Sequence, residues 1–172
     1  KWKNYCRDLS ETQLYSWLLE PDMAVKDGDG VYGIPYVVEG YGIIYNENII
    51  QKYFSLPSRK TDFASMDEVN NFSKLKALVE DMSEHLGELG IEGVFASTSF
   101  SEGEDWRWHT HLPNLPVYYE FSEKGIADEE QLDFSYEENF KNIFDLYIDN
   151  SCTAREDLAT KTVDDSMEEF AR

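Results

Sequence analysis

Between Val31 and Asn46 the chain reads Val31-Tyr32-Gly33-Ile34-Pro35-Tyr36-Val37-Val38-Glu39-Gly40-Tyr41-Gly42-Ile43-Ile44-Tyr45-Asn46, two strand-like apolar runs that meet at one acid and a glycine. β-Branched and aromatic residues suit a pleated, half-buried backbone, and a carboxylate set between Val38 and Gly40 interrupts it, with Gly40 and Gly42 leaving room for a bend or a ligand. Glu39 therefore needs a counterpart, which is either an Arg or Lys in the fold or a ligand whose hydroxyls bond to its oxygens. Lys26-Asp27-Gly28-Asp29-Gly30 comes directly before the first run and predicts a hairpin turn, because glycine accepts the positive φ that tight turns demand. Calcium is the competing reading of that turn. It would require a bidentate acid at the twelfth loop position, where Val38 stands instead.

The rest of the chain alternates helical and extended patterns. Ser10-Glu11-Thr12-Gln13, Ser65-Met66-Asp67-Glu68 and Ser135-Tyr136-Glu137-Glu138 read as capping boxes opening three helices. Leu14, Trp17 and Leu18 follow the first at helical spacing. Val69, Phe72, Leu75, Val79, Met82 and Leu86 follow the second until Gly87 and Gly90, and Phe140, Ile143, Phe144 and Tyr147 follow the third. Asn46 or Asn48 caps a further helix through Ile49, Ile50 and Tyr53, and Asp164 to Arg172 begins a last one. Tyr41 to Tyr45 and Gly93-Val94-Phe95-Ala96 read as strands. Such alternation predicts an α/β fold with at least partly parallel pairing.

Charge excludes some partners. Lys and Arg total 15 against 35 Asp and Glu, a formal charge of -20, so the surface repels phosphate backbones and anionic lipid, and no nucleic-acid role is expected. Cys6 and Cys152 are too few for a disulfide framework. No window has the uncharged apolar length of a membrane helix and no signal peptide opens the chain, whose start at Lys1 fits a processed, excised or truncated product.

A second candidate cluster is Ser101-Glu102-Gly103-Glu104-Asp105-Trp106-Arg107-Trp108-His109-Thr110-His111, which follows the predicted strand 93–96. Aromatic faces stack on the apolar faces of a pyranose while carboxylate, guanidinium and imidazole groups fix its hydroxyls, and α/β sheets bind ligands beyond the carboxyl ends of their strands. If Asp105 onward is helical, Trp106 and Trp108 stand about 200° apart, so at least one packs into the core. His109 and His111 have no third ligand at a metal-site spacing and are read as surface or packing histidines. Ser97, Thr98 and Ser99 lack a nucleophile-elbow pattern. Tyr118-Tyr119-Glu120-Phe121 could face a sugar, but four adjacent bulky residues favour partial burial. No catalytic residue, cofactor or metal is assigned.

Asp29 to Tyr36, Glu39 to Asn46, and Gly93 to Ser97 with Gly103 to Trp108 occur in an order that resembles bacterial extracellular solute-binding proteins of sugar-importing ABC transporters, the maltose-binding-protein-like family. The resemblance spans most of the chain and implies a type II periplasmic-binding-protein-like fold: two three-layer α/β lobes joined by crossing segments, with sugar held in the cleft. It implies that 1–38 is the end of the first-lobe segment, 39–42 the hinge crossover and 43–172 a partial second lobe. Family members are longer than this chain, so the 172 residues alone are expected to bind sugar weakly or not at all. Carried over by position, Glu39, Asp105, Trp106, Arg107 and Trp108 are the ligand-binding candidates. The partners implied are a mono- or oligosaccharide and permease subunits, at an extracytoplasmic location with a lipid anchor outside this chain. The competing readings are a glycan-active enzyme domain using paired carboxylates and an acidic non-catalytic interaction domain.

Overall fold

The computed structural model describes every residue except 1, 38–39, 41, 107, 109–111 and 128–129, and at 2 and 113 the backbone alone. The described chain is mixed α/β and about 50% helical, and its sheet has two strands. It divides into two compact units, Lys1–Ile44 and Tyr45–Arg172.

In the first unit, the expected hairpin forms from β1 (Val25–Asp27) and β2 (Gly30–Gly33), antiparallel with Lys26 opposite Val31 and Asp27 opposite Gly30. The turn depends on Gly28, whose φ of +58° would strain a side-chain-bearing residue. Asp8 holds the hairpin to the preceding chain. Its Oδ1 accepts the Val31 N–H at 3.1 Å and the Ser10 N–H at 2.9 Å, and those two bonds hold its carboxyl below the ordinary range. The capping box expected at Ser10 is displaced: Thr12 is the N-cap, accepting the Tyr15 N–H, of α1 (Gln13–Ser16), which is one turn long. The predicted apolar stripe does not become a core face, since Leu14 and Trp17 are exposed. Among the described residues of this unit, the buried hydrophobic ones are Ala24 and Val31. No strand forms over residues 42–45, and Ile44 is 83% exposed. Extended propensity yields a strand only where a neighbouring strand takes up the backbone groups.

The second unit opens at α2 (Glu47–Phe54). Asn46 is its cap, with Oδ1 accepting the Asn48 and Ile49 N–H groups at 3.0 and 3.3 Å. The Ser65 capping box is corrected as well. Ser65 begins only a 3-10 turn, Met66–Glu68, with no side-chain cap, and Glu68 accepts the Ala64 N–H instead. Asn71 caps α3 (Phe72–Glu84) six residues later, and α4 (Leu86–Leu89) follows. The predicted spacing does bury Val79 and Met82, with Leu78 beside them. Leu78 and Met82 close a core with Ile50, Tyr53, Phe63 and Leu89.

The remaining elements are α5 (Leu112–Lys124), α6 (Glu137–Asp149) and α7 (Val163–Ala171), with α5 packed on α6. Tyr136, not Ser135, stands at the N-cap of α6 and makes no side-chain cap, and the Ser135 N–H is taken by Glu120. The capping box that does form is Thr162 with Asp165, at the head of α7. Parallel pairing among the described residues amounts to one bridge, Phe95 with Ser151, where a longer strand was expected over 93–96. The approach there is close: a Cβ on Gly93 would lie 2.5 Å from the Cys152 nitrogen. A second core, of aromatic rings, lies beside this bridge. Phe95 stacks on Tyr147 at 4.1 Å, and Phe100 and Phe144 stack at 6.0 Å.

Candidate functional site

The chain leaves the Phe95 bridge into Ser97, Thr98 and Ser99, all buried, and then into the loop carrying Asp105 and Trp106. This segment is pinned by the end of the chain. The Ser97 N–H donates to Glu169 Oε2 at 2.6 Å, the Ser166 hydroxyl donates to the Ser97 carbonyl, and the Ser101 N–H donates to the Lys161 carbonyl at 3.0 Å. Glu104 accepts the Val163 N–H, supplying an acceptor to one of the donors that the first turn of α7 cannot pair internally. Lys161 Nζ lies 3.1 Å from Glu169. Burial pushes the Glu169 carboxyl up, but the Ser97 amide and Lys161 outweigh it, and the net direction is down. Both backbone groups of Ser97 are thus held by residues three apart on α7, while its buried hydroxyl has no hydrogen-bond partner among the described residues.

The two tryptophans diverge, as the angular argument requires. The Trp108 ring packs edge-on against Phe100, Phe144 and Tyr147, at 5.9, 5.8 and 5.5 Å, and the backbone N–H of Trp108 donates to the Asp105 carbonyl at 3.0 Å. Trp106 is 44% exposed, and Asp105 is half-buried. Trp108 therefore anchors the loop in the aromatic core, and Trp106 carries its accessible ring. Glu39 and Arg107 lie outside the described residues, as do His109 and His111.

The run 118–121 is partly buried, through Glu120 and Phe121 rather than the two tyrosines. Both rings are exposed, and Glu120 between them and Phe121 is 2% exposed. Its oxygens accept the Asp133 N–H at 2.7 Å and the Ser135 N–H at 3.1 Å, and Lys124 Nζ reaches it at 3.0 Å. With the Asp133 amide as the largest cause, these donors outweigh burial and hold its carboxyl down at about 2. The Glu-x-x-x-Lys spacing was the legible signal of half this cluster.

A second buried polar group, also unforeseen, sits in the aliphatic core. Tyr53 donates to Asp81 Oδ2 at 2.6 Å and meets the Thr61 hydroxyl at 2.6 Å, and the Lys60 N–H reaches the same Asp81 oxygen at 2.8 Å. Burial and the ionised Asp81 push the Tyr53 phenol up to about 12. An acid within the Leu78, Val79 and Met82 stretch was its only trace in the sequence.

Among the described residues, no three His, Cys, Asp or Glu side chains are grouped to hold a metal ion, and both cysteines are free thiols. No described helix is long and apolar enough to cross a membrane. No protein-family model, curated protein or solved structure matches the chain.

Proposed function

We propose that the chain is part of the carbohydrate-binding, substrate-capture component of an ABC importer, a carrier that performs no turnover. The observation that carries this reading is the Asp105-Trp106 pair. It sits on a loop beyond the carboxyl end of a bridged segment, with its base fixed by α7 and Trp108 and the Trp106 ring left accessible. A segment fixed in this way presents the partly exposed Trp106 ring at little ordering cost on binding. In this reading the fold is periplasmic-binding-protein-like, with 1–38 ending a first lobe, 39–42 the hinge and 43–172 part of a second lobe. Glu39 and Arg107 remain ligand-binding candidates in this reading, the partners are a mono- or oligosaccharide and permease subunits, and the protein works outside the cytoplasm, tethered by a lipid anchor outside these residues.

The test is a thermal-shift panel of mono- and oligosaccharides on the polypeptide that carries these residues. A ligand at 100 times its Kd stabilises the native state by about 2.7 kcal/mol. One sugar class is expected to raise Tm, and Trp106→Ala and Asp105→Asn are expected to abolish that shift. Turnover of an oligosaccharide would overturn the carrier reading in favour of a glycan-active enzyme. A panel with no response would favour an acidic interaction domain.

A further inference from the structure

A separate set of rings is exposed on α5 and on the chain leading into α6. Tyr118 and Tyr119 are 64% and 54% exposed with centroids 5.5 Å apart, and the half-buried Tyr136 ring lies 5.8 Å from Tyr119. The Tyr136 hydroxyl donates to Glu123 at 3.0 Å. Phe134 stands two residues before Tyr136 in the segment leading into α6, 62% exposed, with a φ of +57°. A bulky residue keeps a left-handed backbone only where its surroundings over-determine it, and such strain concentrates at functional positions.

The restraint on Phe134 is visible. The buried Glu120 carboxylate takes the N–H groups on both sides of it, from Asp133 and Ser135, and the Glu137 N–H takes the Phe134 carbonyl at 3.0 Å. Lys124 spans Glu120 and Asp133 at 3.0 and 2.8 Å. A buried, ionised clamp thus holds a phenyl ring out in water, against the ordinary drive to bury it. The chemistry around the rings is acidic. Glu123, Glu137 and Glu138 are exposed, and the cation within the patch, Lys124, is already engaged by two carboxylates.

We propose that Tyr118, Tyr119, Phe134 and Tyr136 form a docking surface for a cationic, arginine- or lysine-bearing segment of a partner protein. Ring faces attract guanidinium and ammonium groups through their quadrupole, and the neighbouring glutamates supply the countercharge. The formal charge of -20 draws such a segment in and repels an anionic one, whereas a neutral glycan would gain only the rings. Tyrosines on a helix are low-entropy anchors of the kind that dominate interfaces. The inference stands independently of the sugar reading, since it uses none of Glu39, Asp105, Trp106, Arg107 or Trp108.

The test titrates the chain with a fluorescent peptide of alternating arginine and glycine, with a glutamate-glycine peptide as counter-probe, and compares Tyr119→Ala and Phe134→Gly. Both variants leave the net charge unchanged, so attraction by the overall field stays constant. Binding of the basic peptide alone is expected, weakened about tenfold in each variant. Phe134→Gly is further expected to raise Tm by about 2–4 °C through release of the left-handed strain, separating loss of the surface from loss of the fold. Equal affinity for parent and variants would overturn the proposal, as would binding of neutral oligosaccharides that is lost in the same two variants.

Discussion

Tyr53 and Trp17 are both large aromatic residues on or beside short helices whose apolar spacing reads alike, yet Tyr53 is 0% exposed and Trp17 is 65% exposed. The difference lies in their surroundings. In Tyr45–Arg172 two helices converge on Tyr53 and a buried acid takes its hydroxyl. In Lys1–Ile44 three short helical turns and a two-stranded hairpin leave Leu14, Leu19, Met23 and Val25 exposed, with Ala24 and Val31 buried. Isolated short helices and two-stranded hairpins are marginal in water, so amphipathic spacing becomes a core only where a second apolar face is present to meet it.

Three measurements would break or sharpen that contrast. The largest effect is expected from Tyr53→Ala, at about 3–5 kcal/mol, because it opens a cavity and removes a donor from buried Asp81. Urea unfolding should show a lower midpoint at unchanged slope. A loss under about 1 kcal/mol would mean that the second unit is no better packed than the first.

Acid comes next. Asp81, Glu120 and Glu169 have carboxyl pKa values lowered in the folded second unit. A group with a depressed folded pKa contributes stability above its unfolded value and loses it as pH falls through the folded one. For Glu120 that window runs from the ordinary 4.5 down to about 2. Midpoints measured at stepped pH should therefore fall progressively over that range, and Glu120→Gln should flatten part of the decline. A flat profile in the parent would remove these carboxylates from the account.

The smallest effect is expected from Trp17→Ser in the first unit, within about 0.5 kcal/mol, since the ring is already in water. A thermal melt showing a loss above about 2 kcal/mol would mean that Trp17 is covered in solution, and the contrast between the units would fail.

Local capping chemistry and tertiary packing diverge at three helix starts for one physical reason. Ser10, Ser65 and Ser135 each satisfied a local capping rule, yet Thr12, Asn71 and Tyr136 stand at the caps. Capping motifs compete within a few residues, and the winner is set by which register lays the apolar stripe against a neighbour. At Ser135 the competitor is explicit, since Glu120 takes its amide from 15 residues away. The candidate loop was legible as a polar-aromatic opening, but its fastening by Lys161, Val163, Ser166 and Glu169 was not. Those bonds join residues about 60–70 positions apart, and no local period encodes such a pairing.

The sequence by itself determined the turn at Gly28, an asparagine cap at Asn46 or Asn48, the Val79 and Met82 face of α3 and the acidic surface, because each rests on backbone freedom, a side chain within reach, helical period or a sum of charges. Tertiary structure alone decided that Trp108 turns inward while Trp106 remains accessible, that Tyr119 is exposed beside buried Glu120, and that Phe134 is held in a left-handed conformation. Burial and strain are set by what packs against a residue, and those neighbours arrive from distant parts of the chain.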